Sequence, residues 1–374
     1  MRKTLLFTCA VFSILAFGAG AAFAADDIVV GRSLALSGPL KSYGEAKRDG
    51  GDAYIQKVNK AGGIAGRPIV LVTLDDAYQP EKTVANLKSL AEKNAPTAFL
   101  GLFGVPTVAA ALPVLEQLKI PAVGLTSGTA AVRAPHNPYA FPIRASYAEE
   151  AQKLVSQVKT IGVTKISVIY SDNPFGESVK NTLLEALRKE GLTALAVKVD
   201  AAGAGAAPAV GQAIANAPQA VFLTMLSQAA VPVLRELKKS DSHSLLYTFS
   251  PVDTTVVLKQ LGTSASGLGI TQVVPIPSGM LFPVVEEYTA ALKALGHGTP
   301  SFYGLEAFIE AKVLVEGLRR AGAAAKNPAA LLKALETMRN YDAGGYFVSY
   351  GPGIRTGSRF VEIDIIDTSG VLRR

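Results

Sequence analysis

The chain has 374 residues, 49% of them hydrophobic and 18% charged. That balance excludes an intrinsically disordered chain, and the length suits two domains. The net charge of +7 comes from basic residues spread along the chain with no cluster interleaved by aromatics, which excludes a nucleic-acid-binding stripe.

In chain order, the first element is a leader. "MRK" is a short positive segment, "TLLFTCAVFSILAF" is apolar, and Ala22-Phe23-Ala24 is a small-residue cleavage site. Residues 1–24 are therefore expected to be a signal peptide, too short in its apolar part and too rich in glycine at its end to span a membrane. Cys9, the one cysteine, lies inside it. The mature chain then has no thiol, which excludes cysteine catalysis, thiolate metal sites and disulfides.

Short apolar runs follow at 28–34, 68–74, 98–101, 121–125, 140–143, 165–170, 194–199, 220–224, 245–248 and 269–274. Most lack polar alternation, as strands buried on both faces should. Amphipathic helices separate them. "EAKRDGGDAYIQKVNKAGG" gathers Ala46, Ala53, Tyr54 and Val58 and stops at Gly62-Gly63, and "PEKTVANLKSLAEKN" stacks Val84, Leu87 and Leu90. The alternation predicts an α/β fold built of βαβ units with parallel sheets. It breaks after Pro275: three helices are expected over 281–295, 301–321 and 327–338, then two strands joined by a Gly/Pro turn. An internal echo links two strand–loop–helix units, each with an aromatic-glycine pair: Tyr43-Gly44 and Phe175-Gly176. Two copies of one α/β half would produce it.

Catalytic constellations are missing. His136, His243 and His297 stand apart, and no HExxH, GxSxG or P-loop spacing occurs. The acidic pairs Asp75-Asp76, Glu149-Glu150 and Glu286-Glu287 read as caps, turns or solvated faces. No catalytic residue, metal site or cofactor is expected, and the chain is not expected to be an enzyme. What recurs instead is small hydroxyl or glycine residues where strands lead into helices: Ser37-Gly38, Gly104 to Thr107, Thr126 to Gly128 and Asn173 to Gly176. Ligands of α/β sheets bind at those strand ends, where helix-start N–H groups suit a small carboxylate.

The stretches "LSGPLKSYGEAKRDGGDAYIQKVNKAGGIAGRPI", "LDDAYQP", "IPAVGLTSGTAAVR", "YAFPIRASYAEEA" and "YSDNPFGESVKNTLLEALRKEG" occur in order. Together they closely resemble the leucine/isoleucine/valine-binding family of periplasmic substrate-binding proteins, the secreted receptors of ABC importers. The resemblance covers nearly the whole mature chain and is looser in the C-terminal half. It implies two Rossmann-like lobes with parallel sheets joined by a three-segment hinge, the type I periplasmic binding fold. The first lobe would take residues 25–145 and 277–350, the second 146–276 and 351–374, with crossings near 144–147, 275–277 and 349–352. It further implies a small-molecule ligand, an amino acid or organic acid, in the interlobe cleft. A membrane ABC permease would be the partner, the location would be the periplasm, and a monomer suffices for delivery.

Carried over position by position, the family's first-lobe aromatic matches Tyr43. The carboxylate-binding loops match Val105 to Thr107 and Thr126, Ser127 and Gly128. The second-lobe tyrosine becomes Phe175, expected to face Tyr43, and a further tyrosine position falls at Leu226 and Ser227. The family's glutamate for the ligand ammonium falls at Ser250, with Asp253 either a replacement or a helix cap. The lost glutamate tilts the expected ligand towards a less polar branched or aromatic acid, because an unpaired buried ammonium is costly. A ligand-sensing regulatory protein of the same fold is the alternative reading.

Overall fold

The computed structural model describes residues 27–133, 137–279 and 281–374. The expected signal peptide, Cys9 and His136 lie outside the described residues.

The first lobe opens with β1 (Ile28–Leu34), α1 (Lys41–Lys60), β2 (Ile69–Asp75), α2 (Pro80–Asn94), β3 (Ala98–Leu100), α3 (Val105–Leu118), β4 (Ala122–Val123) and β5 (Ala140–Phe141). Its sheet is parallel throughout, in the order β2-β1-β3-β4-β5. All seven residues of β1 are buried, and its two polar members find side-chain partners, Arg32 at Thr73 and Ser33 at Asp76. The last three strands are shorter than their apolar runs. Gly101 and Gly124 follow β3 and β4 at φ +76 each, and the side chain of Glu310 lies against both, where a Cβ would stand.

The second lobe runs α4 (Tyr147–Thr160), β6 (Ile166–Ser171), α5 (Pro174–Lys189), β7 (Ala194–Val199), α6 (Ala206–Ile214), β8 (Ala220–Thr224), α7 (Ser227–Lys239), β9 (Leu245–Thr248), α8 (Thr254–Leu261) and β10 (Leu268–Gln272). The chain then returns to the first lobe as α9 (Pro283–Leu295), α10 (Phe302–Ala321), α11 (Pro328–Glu336), β11 (Tyr341–Asp342), β12 (Phe347–Gly351) and β13 (Ile354–Gly357). It ends in β14 (Glu362–Ile366) and β15 (Leu372–Arg373), which complete the second sheet in the order β15-β14-β10-β9-β8-β6-β7. β14 pairs antiparallel with β10, so that edge is mixed. Successive residues of one strand serve opposite faces: Val221, Leu223 and Ile169 enter one core cluster, Ala220, Phe222 and Val168 the other.

Three segments therefore cross between two Rossmann-like lobes: between β5 and α4, between β10 and α9, and between β13 and β14. The third differs from the expected 349–352. β12 and β13 form an antiparallel hairpin around Pro352-Gly353, with Gly353 at φ +69, and β13 lies against β5. The chain reaches the second sheet only at Glu362, so residues 351–357 stay with the first lobe. Buried tyrosines hold the crossings. The Tyr346 hydroxyl donates to the Val273 carbonyl at 3.0 Å, and that of Tyr350 to the Pro142 carbonyl at 2.8 Å.

The echo of the two aromatic-glycine pairs has a steric basis. A Cβ on Gly44 would run into the carbonyl of Ala35 just past β1, and one on Gly176 into the carbonyl of Ser171 at the end of β6. In both lobes the first turn of a long helix packs too tightly onto the preceding strand for any other residue.

Candidate ligand site in the interlobe cleft

The ends of β1, β3 and β4 face those of β8 and β9 across the lobes, and the two sides touch. The hydroxyl oxygens of Tyr43 on α1 and Ser227 on α7 are 2.7 Å apart. The Gln228 amide donates to the Pro39 carbonyl at 2.8 Å, and the Tyr303 hydroxyl to the Pro251 carbonyl at 3.3 Å. α3 and α7, one from each lobe, start without a side-chain cap, at Gly104 and Leu226, whereas α4, α5 and α8 are capped by Ser146, Asn173 and Asp253. Uncapped first turns leave backbone N–H groups for another acceptor.

Aromatic rings wall the cleft. Tyr43 stacks on Phe103 at 5.5 Å and meets Tyr303 edge-on at 4.8 Å, and Tyr78 tilts against Phe103 at 5.6 Å. From the other lobe, Tyr147 meets Phe175 at 5.9 Å and Phe249 at 6.5 Å. Such pairs contribute about 0.5–1.5 kcal/mol each beyond area burial. Val105 of the first lobe packs into the Tyr147–Phe175 cluster, and Leu226 packs against both clusters.

Two rings also reach the amides of the loops. Gly104, at φ +99, has Tyr78 where a Cβ would stand, and Gly128 has Tyr147 there. The Tyr147 backbone N–H donates to the Gly128 carbonyl at 2.8 Å, tying the start of α4 to that loop. Burial pushes the Tyr147 phenol up to about 12, so both phenols are neutral at pH 7.

Beneath the rings lie two buried charged groups. Lys47 bridges the Glu310 carboxylate at 2.8 and 2.9 Å and donates to Thr126 Oγ1 at 2.6 Å. Burial raises Glu310 to about 7 against the pull of Lys47. The second group centres on Arg144 in the first crossing. Its guanidinium lies 3.4 Å from Glu150, 3.7 Å from Glu306 and within hydrogen-bond reach of Ser250 Oγ. Burial pulls Arg144 down, but Glu306, Tyr147 and Glu150 outweigh it and its pKa is raised. Glu150 accepts from the Ser250 N–H at 3.0 Å and from Thr271 Oγ1, and burial raises it against these bonds.

The structure distributes the sequence-predicted residues unevenly. Tyr43, Val105, Gly128, Phe175, Leu226 and Ser227 meet at the lobe interface. Tyr43 and Phe175 do not face each other as a pair: they belong to separate side-chain clusters, and Tyr43 crosses the cleft to Ser227 instead. The expected hydroxyl donors are spent within their own lobe. Thr107 Oγ1 turns back to the Phe103 carbonyl, Thr126 serves Lys47 and Glu310, and Ser127 Oγ meets Thr129 Oγ1 at 3.0 Å. Ser250 is held by Glu150 and Arg144. Asp253 caps α8 by accepting from the Thr255 N–H at 2.8 Å. Sequence reasoning missed Tyr78, Phe103, Tyr147, Arg144, Glu150, Glu306 and Tyr303. A signal for Glu306, and for Glu310 of the Lys47 pair, was present: the two interrupt the apolar run of "YGLEAFIEAKVLV" at helical spacing, facing inward with Tyr303.

Comparison with known proteins agrees with this architecture. The chain matches the family described as periplasmic binding protein over residues 27–359. It is 25% identical over 356 residues to Leu/Ile/Val-binding protein homolog 3 of Brucella melitensis, covering 90% of this chain and 89% of the relative. It is 25% identical over 340 residues to an amino acid binding protein of Pseudomonas aeruginosa, covering 84% and 83%. The crystal structure of a substrate-binding periplasmic protein from Ralstonia solanacearum superposes with a TM-score of 0.86 at 32% identity, over 93% of this chain and 99% of that one. With two α/β lobes, three crossings and aromatic rings gathered between opposed strand ends, the chain belongs to the periplasmic binding protein family.

Proposed function

We propose that this protein is the periplasmic solute receptor of an ABC importer, exported by residues 1–24, and that its cleft closes on a small ligand bearing a carboxylate and an apolar side chain. The observation that carries the reading is that aromatic rings from both lobes gather between opposed strand ends, with Tyr78 against Gly104 and Tyr147 against Gly128. Neutral donors hold a carboxylate without the desolvation of a full counter-charge, so release to a permease stays easy. Val105, Phe175 and Leu226 offer the apolar wall, and hinge motion about the three crossings opens and closes it. Relatives named for amino acid binding support the ligand class.

The test is a thermal-shift screen on refolded, ligand-stripped protein with L-leucine, L-phenylalanine, 4-methylpentanoate and 3-phenylpropanoate. A true ligand at about 100 times Kd stabilises by roughly 2.7 kcal/mol. Stabilisation by sugars or simple amines alone would sink the carboxylate reading.

A further inference from the structure

A further hollow lies between the lobes, at the second crossing. It measures about 520 Å³ and opens where α8, that crossing, the start of α10 and the β14–β15 turn come together. The rings that wall the cleft do not line it. Phe302 stands on its wall, whereas the next residue, Tyr303, turns away to the Pro251 carbonyl. Its volume falls in the range of small-molecule sites, and most of its lining is apolar.

The two lobes supply different walls. Phe302 packs on the core of the first lobe, and Leu258 and Leu372 pack on a core of the second. Ile276 and Pro277 of the crossing join these walls, and Val371 at the rim is 44% exposed. One molecule seated here would cover apolar surface of both lobes at once. The polar groups are few and of one kind. Lys259 is the one charged side chain on the wall, and it has no ion pair among the described residues. Thr254 is 4% exposed, and its Oγ1 accepts from the Gln272 amide at 3.4 Å. Among the described residues nothing accepts the Thr254 hydroxyl proton, so that group is free to donate. Asp253, the acid nearest to Lys259 along α8, does not line the cavity and accepts from the Thr255 N–H instead. Apolar walls, an unpaired cation and a buried hydroxyl with a proton to give together suit an amphipathic anion.

We infer that this cavity is an accessory site for a small amphipathic anion, whose occupancy holds the lobes in the arrangement seen here. The apolar part would lie between Phe302 and the Leu258–Leu372 wall, and the head would take Lys259 and the Thr254 hydroxyl. Swinging the lobes apart draws Phe302 away from Leu258 and Leu372, so the molecule would lose one wall. It therefore binds this arrangement better than an open one, and by linkage its binding favours this arrangement. The site acts on the hinge and does not depend on what the cleft itself binds.

Methyl NMR of the chain from residue 25 onward, titrated with hexane-1-sulfonate and with neutral hexan-1-ol, tests the site. Both probes should give saturable shifts at Leu258, Ile276, Val371 and Leu372. Lys259→Gln, an exposed change, should weaken the sulfonate by about threefold, the scale of an exposed ion pair, and leave hexan-1-ol unchanged. Val371→Trp should fill the cavity and block both probes. Melting curves show whether each variant folds as wild type does, and Lys259→Gln carries the comparison if Val371→Trp does not. Absence of saturation, shifts confined to Val105 and Leu226 of the cleft, or an equal effect of Lys259→Gln on both probes overturns the site. The action on the hinge has its own readout. Residues 25–374 contain no cysteine, so spin labels on Lys88→Cys of α2 and Lys189→Cys of α5 report the distance between the lobes. Saturating hexane-1-sulfonate should narrow the distance distribution. An unchanged or broader distribution overturns the coupling to the hinge.

Discussion

Tyr43 and Ser227 come from α1 and α7, on opposite lobes, and their hydroxyl oxygens lie 2.7 Å apart. Ser227 also accepts from the Asp253 N–H at 2.8 Å, so its orientation is held by the start of α8. The pair ties the two lobes directly to each other. A hydrogen bond of this kind contributes about 0.5–1.5 kcal/mol net. Ser227→Ala should therefore shift the ligand-free population towards the open form and weaken ligand binding by roughly two- to tenfold through that shift alone. A larger radius of gyration by small-angle scattering, together with the weaker titration, checks it.

Lys47 and Glu310 are buried at 2% and 1% exposure and share Thr126. Removing one member leaves the other charge stranded. Lys47→Met should cost about 3–5 kcal/mol of unfolding free energy, and pairing it with Glu310→Leu should restore much of that. Urea unfolding of the single and double variants provides the comparison; additive losses would show that the two residues do not act as a pair.

Asp364 sits in β14 opposite Ile270, with both carboxylate oxygens buried and unpartnered among the described residues. Burial, then repulsion from Glu362, raises its pKa to about 7, while Arg374 opposes them. An unfolded aspartate titrates near about 3.9. Over the interval between these values the folded state keeps a proton that the unfolded state has lost, so this group makes stability fall as pH rises, with no further loss above about 7. Melting temperatures of wild type between pH 5 and pH 8 should decline relative to Asp364→Asn, whose profile loses that component. Parallel profiles would show that the carboxylate finds a partner.

At Gly128 a side chain would enter the ring of Tyr147. Gly128→Val should displace that ring from the cleft wall and reduce ligand affinity by more than about tenfold, because overpacking forces off-rotamer side chains. The fold should survive, since the φ at Gly128 is not among the positive values. Titration of the variant with the ligand found for wild type tests this.

Much of the architecture was legible in one dimension, because buried parallel strands leave near-continuous apolar runs and helices leave a 3.6-residue stripe. β1, β6 and β8 fall on the apolar runs read for them. The two aromatic-glycine pairs marked matching strand–loop–helix units, and the close helix–strand approach at each glycine is their steric basis. The third crossing was misplaced because a hairpin and a strand leaving for another sheet have the same local pattern. Only the pairing of β13 with β12, and of β14 with β10, separates them.

The sequence by itself thus determined two α/β lobes and the loops that meet between them, since period and turn chemistry are local properties. The tertiary structure decided what those loops do with their side chains. Thr107, Thr126 and Ser127 read as ligand donors, but each hydroxyl takes the nearest partner the fold supplies. Arg144, Glu150 and Glu306 come from the first crossing, α4 and α10, with no motif in the sequence to connect them. They become one buried cluster because folding brings together positions up to 162 residues apart in number, and which oxygen is then left without a partner depends on three-dimensional packing that no spacing in the chain encodes.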